Sequence, residues 1–274
     1  MSTDGKRVCV YCGQAEYLTN EHVFPDCLQK GLDIIGSAKT PNGDKAIASA
    51  QKIHDVCASC NSGSLSTLDA YICKLNNRYF RTIVNAGDCI IFNYDFDLLL
   101  RGLLKIGYNV ARSRKWPSAS LENVRSYILG NSPRPPGYHV FLQLMIPSRN
   151  NTEFPVTPGT TKIPPIPLHA SLENVSTIAA LESARSLLFW SYRFCIVHED
   201  FALPRSDRRR AKAEWQRRLG GAFELSERGS DSICASRTTV LEVYQSNTQF
   251  RHQVRKAREL KSSIDVKKAK SKSR

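Results

Sequence analysis

Four of the nine cysteines stand in two tight pairs, Cys9-x-x-Cys12 and Cys57-x-x-Cys60, and each pair offers two thiolates from one short turn. A tetrahedral zinc ion takes four such soft donors at about 2.3 Å, and two knuckles distant in sequence can close on a single ion. The metal would then supply folding energy that a small polar module cannot draw from apolar burial, so its loss should unfold that module. Two other uses of these residues stay open: a redox Cys-x-x-Cys, which needs only one pair beside a βαβ unit, and four free buried thiols. His22 and His54 are conceivable substitutes in the metal sphere, and a four-cysteine site leaves both free.

A second kind of chemistry lies between the knuckles. Glu21-His22 is followed by Pro25, and the second knuckle runs directly into Asn61 and a helical stretch carrying Asp69. A neutral imidazole, with an ordinary pKa near 6.5, is suited to taking a proton from water. The same residues also have plain structural uses. Glu21-His22 can be a surface ion pair or a turn, Asn61 a helix cap, Asp69 a solvated helix position and His54 a local structural residue. His139, His169, His198 and His252 have no comparable neighbours in the sequence.

The order Cys-x-x-Cys, Glu-His-x-x-Pro, Cys-x-x-Cys-Asn and a helix resembles the HNH endonucleases, members of the ββα-metal or His-Me finger nucleases, over about residues 7–80. A weaker resemblance links Asp97–Asn109 to the helix that follows the nuclease module in some bacterial proteins of this type. The resemblance implies that His22 is the general base of phosphodiester hydrolysis. It implies that Glu21 and Asn61 hold a catalytic Mg²⁺ or Mn²⁺ ion, with Asp69 standing where some members carry the last histidine of the motif. Cys9, Cys12, Cys57 and Cys60 would hold structural zinc. DNA is the implied substrate, and a bacterial or phage-related setting, in host defence or a mobile element, is the implied biology. The chain departs from the commonest pattern in two respects. Lys52–Val56 lacks a counterpart of the middle asparagine, and adjacent strand residues point to opposite faces, so Glu21 and His22 share one site only if the chain is irregular there.

The elements that must position these groups can be read from periodicity. Ser64–Phe80 has Leu65, Leu68, Ile72, Leu75 and Tyr79 at the spacing of one helix face. Asp95–Arg112 opens with acidic residues suited to a helix N-terminus and is apolar on more than one face, as expected of a buried organising helix. Leu121–Leu129 is a shorter helix ended by Gly130 and prolines. Lys39–Lys45 reads as a turn, and Arg81–Phe92 as a short extended or irregular link. Tyr138–Ile146, Ser176–Leu181 and Ser186–Val197 read as strands, with Pro155, Pro158, Pro164, Pro165 and Pro167 marking a loop or edge between them. Arg205–Gly220 is a basic helix, and Lys261–Arg274 has the composition of a disordered tail. The expected fold class is therefore α+β: a zinc-stabilised ββα-metal module over 1–80, a mixed helix and strand region over 81–204, and a basic segment over 205–274.

Composition sets the remaining bounds. The chain has 274 residues, 41% of them hydrophobic, enough for a core that needs no lattice of disulfides. Cys27, Cys73, Cys89, Cys195 and Cys234 form no obvious pairs, and the odd total suggests a reducing, cytoplasmic setting. No stretch approaches the roughly 18 apolar residues of a membrane span, and MSTDGKRVC has no apolar run behind its basic residues; no membrane partner is expected. The net charge is +14, of which +11 falls in Arg205–Arg274, from 19 Lys/Arg against 8 Asp/Glu. Such a surface attracts polyanions, with nucleic acid foremost. Arg208–Arg210, Arg217-Arg218, Arg255-Lys256 and Lys267-Lys268 suit phosphate contacts, and Trp116, Trp190 and Trp215 can stack on bases or fill a core. Residues 81–204 can select substrate, hold a protein partner or form a homodimer. The alternative to a nuclease is a non-catalytic zinc module with a basic tail that binds nucleic acid.

Overall fold

The computed structural model describes residues 7–29, 52–115, 118–146, 148–149, 162–163, 169–173, 184–198, 204–218 and 222–235. Helix and strand are mixed, an α+β architecture. Lys39–Lys45, Ser176–Leu181, the five named prolines, Trp116, His252 and Lys261–Arg274 lie outside the described residues, as do the side chains of His169, Trp215 and Arg217-Arg218.

The N-terminal part is built from two small antiparallel units. Strands β1 (Arg7–Val8) and β2 (Ala15–Glu16) form a short hairpin. Strand β3 (Leu18–His22) pairs with β4 (Lys52–Cys57), and the short helix α1 (Asp26–Gln29) follows β3. Beyond Cys57 the chain turns straight into a helical run. It consists of α2 (Ala58–Cys60), a π-helical turn at Asn61–Leu65, α3 (Ser66–Leu75) and a second π-helical turn at Asn76–Phe80. The face read from periodicity is the buried one: Leu65, Leu68, Ile72, Leu75 and Tyr79 are all inside.

Strand β5 (Cys89–Asn93) closes the segment expected to be a link. Then comes α4 (Phe96–Ser113), capped by the Asp95 carboxylate, which accepts from the Leu98 amide at 2.9 Å. An N-cap of this kind satisfies an otherwise orphaned backbone donor and is worth about 1 kcal/mol. As anticipated, α4 is buried on more than one face. It lies against α3 at Gly102, where an added Cβ would fall 2.9 Å from Ile72 Cγ1, so the close approach of the two helices depends on that missing side chain. Two short helices, α5 (Ala119–Glu122) and α6 (Arg125–Leu129), end at Gly130, whose φ of 82° is the left-handed conformation glycine tolerates.

A five-stranded antiparallel sheet makes up the remainder of the core, in the order β12 (Phe223–Glu224), β6 (Tyr138–Leu144), β11 (Tyr192–His198), β10 (Ala184–Phe189) and β9 (His169–Glu173). A minor pair, β7 (Ser148–Arg149) and β8 (Lys162–Ile163), lies between β6 and β9 in sequence. Ser186–Val197, read as one strand, is a hairpin: the chain reverses at Trp190-Ser191, with Trp190 at φ 55°. Helix α7 (Arg205–Arg218) is the basic helix, and β13 (Ser230–Cys234) returns to pair with β5. Phe80 stacks on Phe189 with ring centroids 5.3 Å apart and touches Tyr192 and Phe194. One buried cluster accordingly runs from Cys9 to Ile233. Among the described residues, no helix is long and apolar enough to cross a membrane.

The scattered cysteines correct the sequence reading. Cys27 is bonded to Cys73 and Cys89 to Cys234, while Cys195 is free and buried. Their spacing carries no signal because each pair is joined by tertiary packing, α1 against α3 and β5 against β13.

Candidate functional site

The four knuckle cysteines converge because two chain reversals meet. Cys9 and Cys12 sit in the β1–β2 turn, which closes through Gly13, at φ 74°, with its amide donating to the Cys9 carbonyl at 2.9 Å. Cys57 ends β4 and Cys60 closes the first helical turn. The Val10 amide donates to the Asp55 carbonyl at 3.0 Å and the Cys57 amide to Cys9 Sγ at 3.3 Å, clamping the turn to the strand. All four sulfurs lie within 4.8 Å of one another. A tetrahedron with 2.3 Å metal–sulfur bonds has edges of about 3.8 Å, and Cys12 Sγ is 3.7 Å from Cys57 Sγ. Donor chemistry and spacing fit a metal ion such as zinc.

The thiols are not equivalent. Burial works to raise the Cys57 pKa, but the Ser59 hydroxyl, the Cys60 amide and the neighbouring thiols offset this and bring it down to about 6. Burial pushes Cys60 and Cys12 up. Cys57 is therefore the readier thiolate, and Cys12 and Cys60 shed protons when a cation arrives.

The second cluster begins at an irregularity. The register of β3 against β4 shifts between Thr19 and Glu21, a bulge of the kind that re-aims side chains. It turns Glu21 into the interior, where it is 2% exposed, and leaves His22 half-buried at the strand end. Glu21 Oε1 lies 2.6 Å from the Lys105 ammonium of α4, which is itself buried. The same ammonium donates to Oδ1 of Asp69 on α3. Burial raises the Asp69 pKa, opposed by Lys105 and by the nearby His22; burial likewise raises Glu21 against the pull of Lys105. Two charges out of water and a third partly so are tolerable only because each has its partner; stranding a fully buried one would cost about 3–5 kcal/mol.

Helix α4 supplies more than the lysine. Asn109, one turn on, donates from Nδ2 to Glu21 Oε1 at 3.2 Å and to the His22 carbonyl at 2.9 Å. Its Oδ1 accepts from the Tyr11 hydroxyl at 2.7 Å and from Arg112 at 3.0 Å. Arg112 in turn forks onto Asp55 at 3.1 and 3.3 Å and lies over the Tyr108 ring, 4.2 Å from its centre. Lys105, Asn109 and Arg112 thus form one polar stripe, spaced four and three residues apart, along a largely buried helix. That stripe was the available signal for these residues, since a charged and an amide side chain inside a helix with apolar residues on every face demand buried partners.

Asn61, in the turn after the second knuckle, donates through Nδ2 to Thr19 Oγ1 at 2.9 Å and to the Asn20 carbonyl at 3.1 Å. It pins the start of the helical run to the bulge. His54 is exposed on β4. The divalent ion implied by the HNH resemblance therefore does not fit this arrangement as it stands. The Lys105 ammonium bridges Glu21 and Asp69, so both carboxylates already hold a cation. Among the described residues, the group of three or more His, Cys, Asp or Glu donors spaced to hold a metal is the four-cysteine cluster. No protein-family model, no curated protein and no solved structure matches the chain.

Proposed function

We propose that the protein is a zinc-stabilised HNH-type endonuclease that hydrolyses phosphodiester bonds in DNA, with His22 as the general base. The observation that carries this reading is the meeting of three features: His22 ends β3 just past the bulge, antiparallel β4 leads through Cys57 into the helical run, and Asp69 of that run shares the Lys105 ammonium with Glu21, the neighbour of His22. Half-buried and at a strand end, His22 can face a substrate while its backbone is held by Asn109. In the hydrolytic step its neutral imidazole takes the proton of a water as that water attacks phosphorus, and the 3′ oxygen leaves. Lys105, Glu21 and Asp69 fix the ground on which His22 stands. The Mg²⁺ or Mn²⁺ of the HNH resemblance would require Glu21 and Asp69 to release Lys105. Exposed Arg205, Arg209 and Arg210 on α7 suit the phosphate backbone, where each neutralised phosphate releases counterions.

A second reading has its own observation. Because Lys105 saturates both carboxylates, the cluster also makes sense as a purely structural ion triad inside a zinc module that binds nucleic acid without cutting it. Plasmid DNA incubated with wild type and His22→Ala, matched for zinc content and tested without added metal and with Mg²⁺ or Mn²⁺, separates the two. General-base catalysis contributes about 10²–10⁴-fold, so His22→Ala should lose at least about 100-fold in nicking rate. Equal cutting by both defeats His22 as the base; binding without any cutting by wild type defeats the nuclease and leaves the binding module.

A further inference from the structure

We infer that Lys105 is the resident cation of the Glu21–Asp69 pair, and that a divalent ion and this ammonium compete for the same two carboxylates. Three observations carry this. The ammonium contacts Glu21 Oε1 at 2.6 Å and also Asp69 Oδ1, so it bridges carboxylates that arrive from β3 and α3. The Lys105 side chain is 1% exposed, which leaves no room for the waters that Mg²⁺ and Mn²⁺ keep in an octahedral shell. And α4, which carries the lysine, is locked in place on both sides of it, by the close approach of Gly102 to Ile72 and by the bonds of Asn109 to Glu21 and His22.

The consequence is a site whose counter-charge is built into the chain. An ion entering between Glu21 and Asp69 must expel a buried ammonium by taking the two carboxylates that hold it, and its apparent affinity falls by that penalty. Lys105 is in these terms a positioning residue: it holds buried Glu21 and partly buried Asp69 together beside His22. The inference rests on the hydrolase reading only for its consequence in catalysis, because occupancy of the pair can be measured whether or not DNA is cut.

The test is Mn²⁺ binding to zinc-loaded protein, followed by electron paramagnetic resonance titration, in wild type, E21Q, K105M, E21Q/K105M and D69N/K105M. Methionine keeps much of the lysine's length without its charge. K105M is expected to bind Mn²⁺ at least tenfold more tightly than wild type, and that gain should vanish in both double variants. E21Q should leave wild-type Mn²⁺ binding unchanged. A K105M variant with no gain, or a wild type that loses Mn²⁺ binding on E21Q, overturns the inference. Zinc content and melting temperature report folding of each variant. Should K105M not fold, wild type and E21Q decide alone: equal affinity supports the resident ammonium and a tenfold loss in E21Q refutes it. Loss of His22-dependent cutting with this pattern intact would sink the nuclease reading and not this one.

Discussion

Asn109 donates from Nδ2 to the carbonyl oxygen of His22 at 2.9 Å, so the residue that holds the proposed base in place comes from a helix nearly ninety positions later in the chain. The same amide serves Glu21, Tyr11 and Arg112, which uses all of its hydrogen-bonding capacity in one buried place.

Removing that amide should therefore be costly. Asn109→Ala removes the acceptor of the Tyr11 hydroxyl and the donor to Glu21 and the His22 carbonyl, and each buried polar group so stranded costs about 1–3 kcal/mol. Chemical denaturation of the zinc-loaded protein should show a loss of at least about 2 kcal/mol. A change below about 0.5 kcal/mol would mean that the bulge is held by β4 alone.

Gly102 offers an independent handle on the same geometry. Gly→Ala in a helix ordinarily stabilises by up to about 1 kcal/mol, but here a Cβ meets Ile72 Cγ1 at 2.9 Å. Gly102→Val should force α4 off α3 and destabilise by about 1–3 kcal/mol, the usual range for overpacking. Pairing it with Ile72→Ala should recover part of that loss, a coupling that a double-mutant cycle measures directly.

Zinc binding should depend on pH in a direction set by the thiols. Cys57, brought down to about 6, is already a thiolate at neutral pH, whereas Cys12 and Cys60 are held up by burial and must lose protons as the ion binds. Proton release on binding means that affinity rises with pH. Competition against a chromophoric chelator should give at least about two decades of affinity per pH unit near pH 7, steepening below pH 6 as Cys57 also becomes protonated. An affinity flat in pH would mean that the sulfurs are not the ligands.

Much of this was legible in the sequence, and the division follows physical lines. The helix of Ser64–Phe80 and the cap and burial of Asp95–Arg112 follow from local periodicity. The knuckle pairs follow from a spacing that only a few chemistries use. Lys105 and Asn109 carry no local signal of their roles, because their partners come from β3, more than eighty residues earlier, and from Asp69 of α3, and only tertiary contact names them. The bulge that lets Glu21 and His22 serve different neighbours is likewise a register effect, set by how β3 and β4 pair and not by the residues at positions 21 and 22. The hairpin at Trp190-Ser191 leaves no mark in the sequence, since neither glycine nor asparagine stands at the turn.

The disulfides were the other feature hidden from sequence, and they give the last prediction. Cys27 stands just beyond His22 and Pro25, while Cys73 lies four residues after Asp69 on α3; their bond ties the segment following the proposed base to the helix that carries the facing carboxylate. Thiol labelling of denatured, zinc-free protein should count five free cysteines, those of the cluster and Cys195; nine would show a fully reduced chain. The loop that this bond closes spans 46 residues, for which the chain-entropy account gives about 4 kcal/mol, with 2–4 kcal/mol typical in practice. The double variant Cys27→Ser/Cys73→Ser should therefore unfold at lower denaturant by roughly that amount while keeping its zinc, because the knuckles are anchored by β1, β2 and β4 and not by α1. Loss of zinc in that variant would mean instead that the disulfide and the metal hold one cooperative unit.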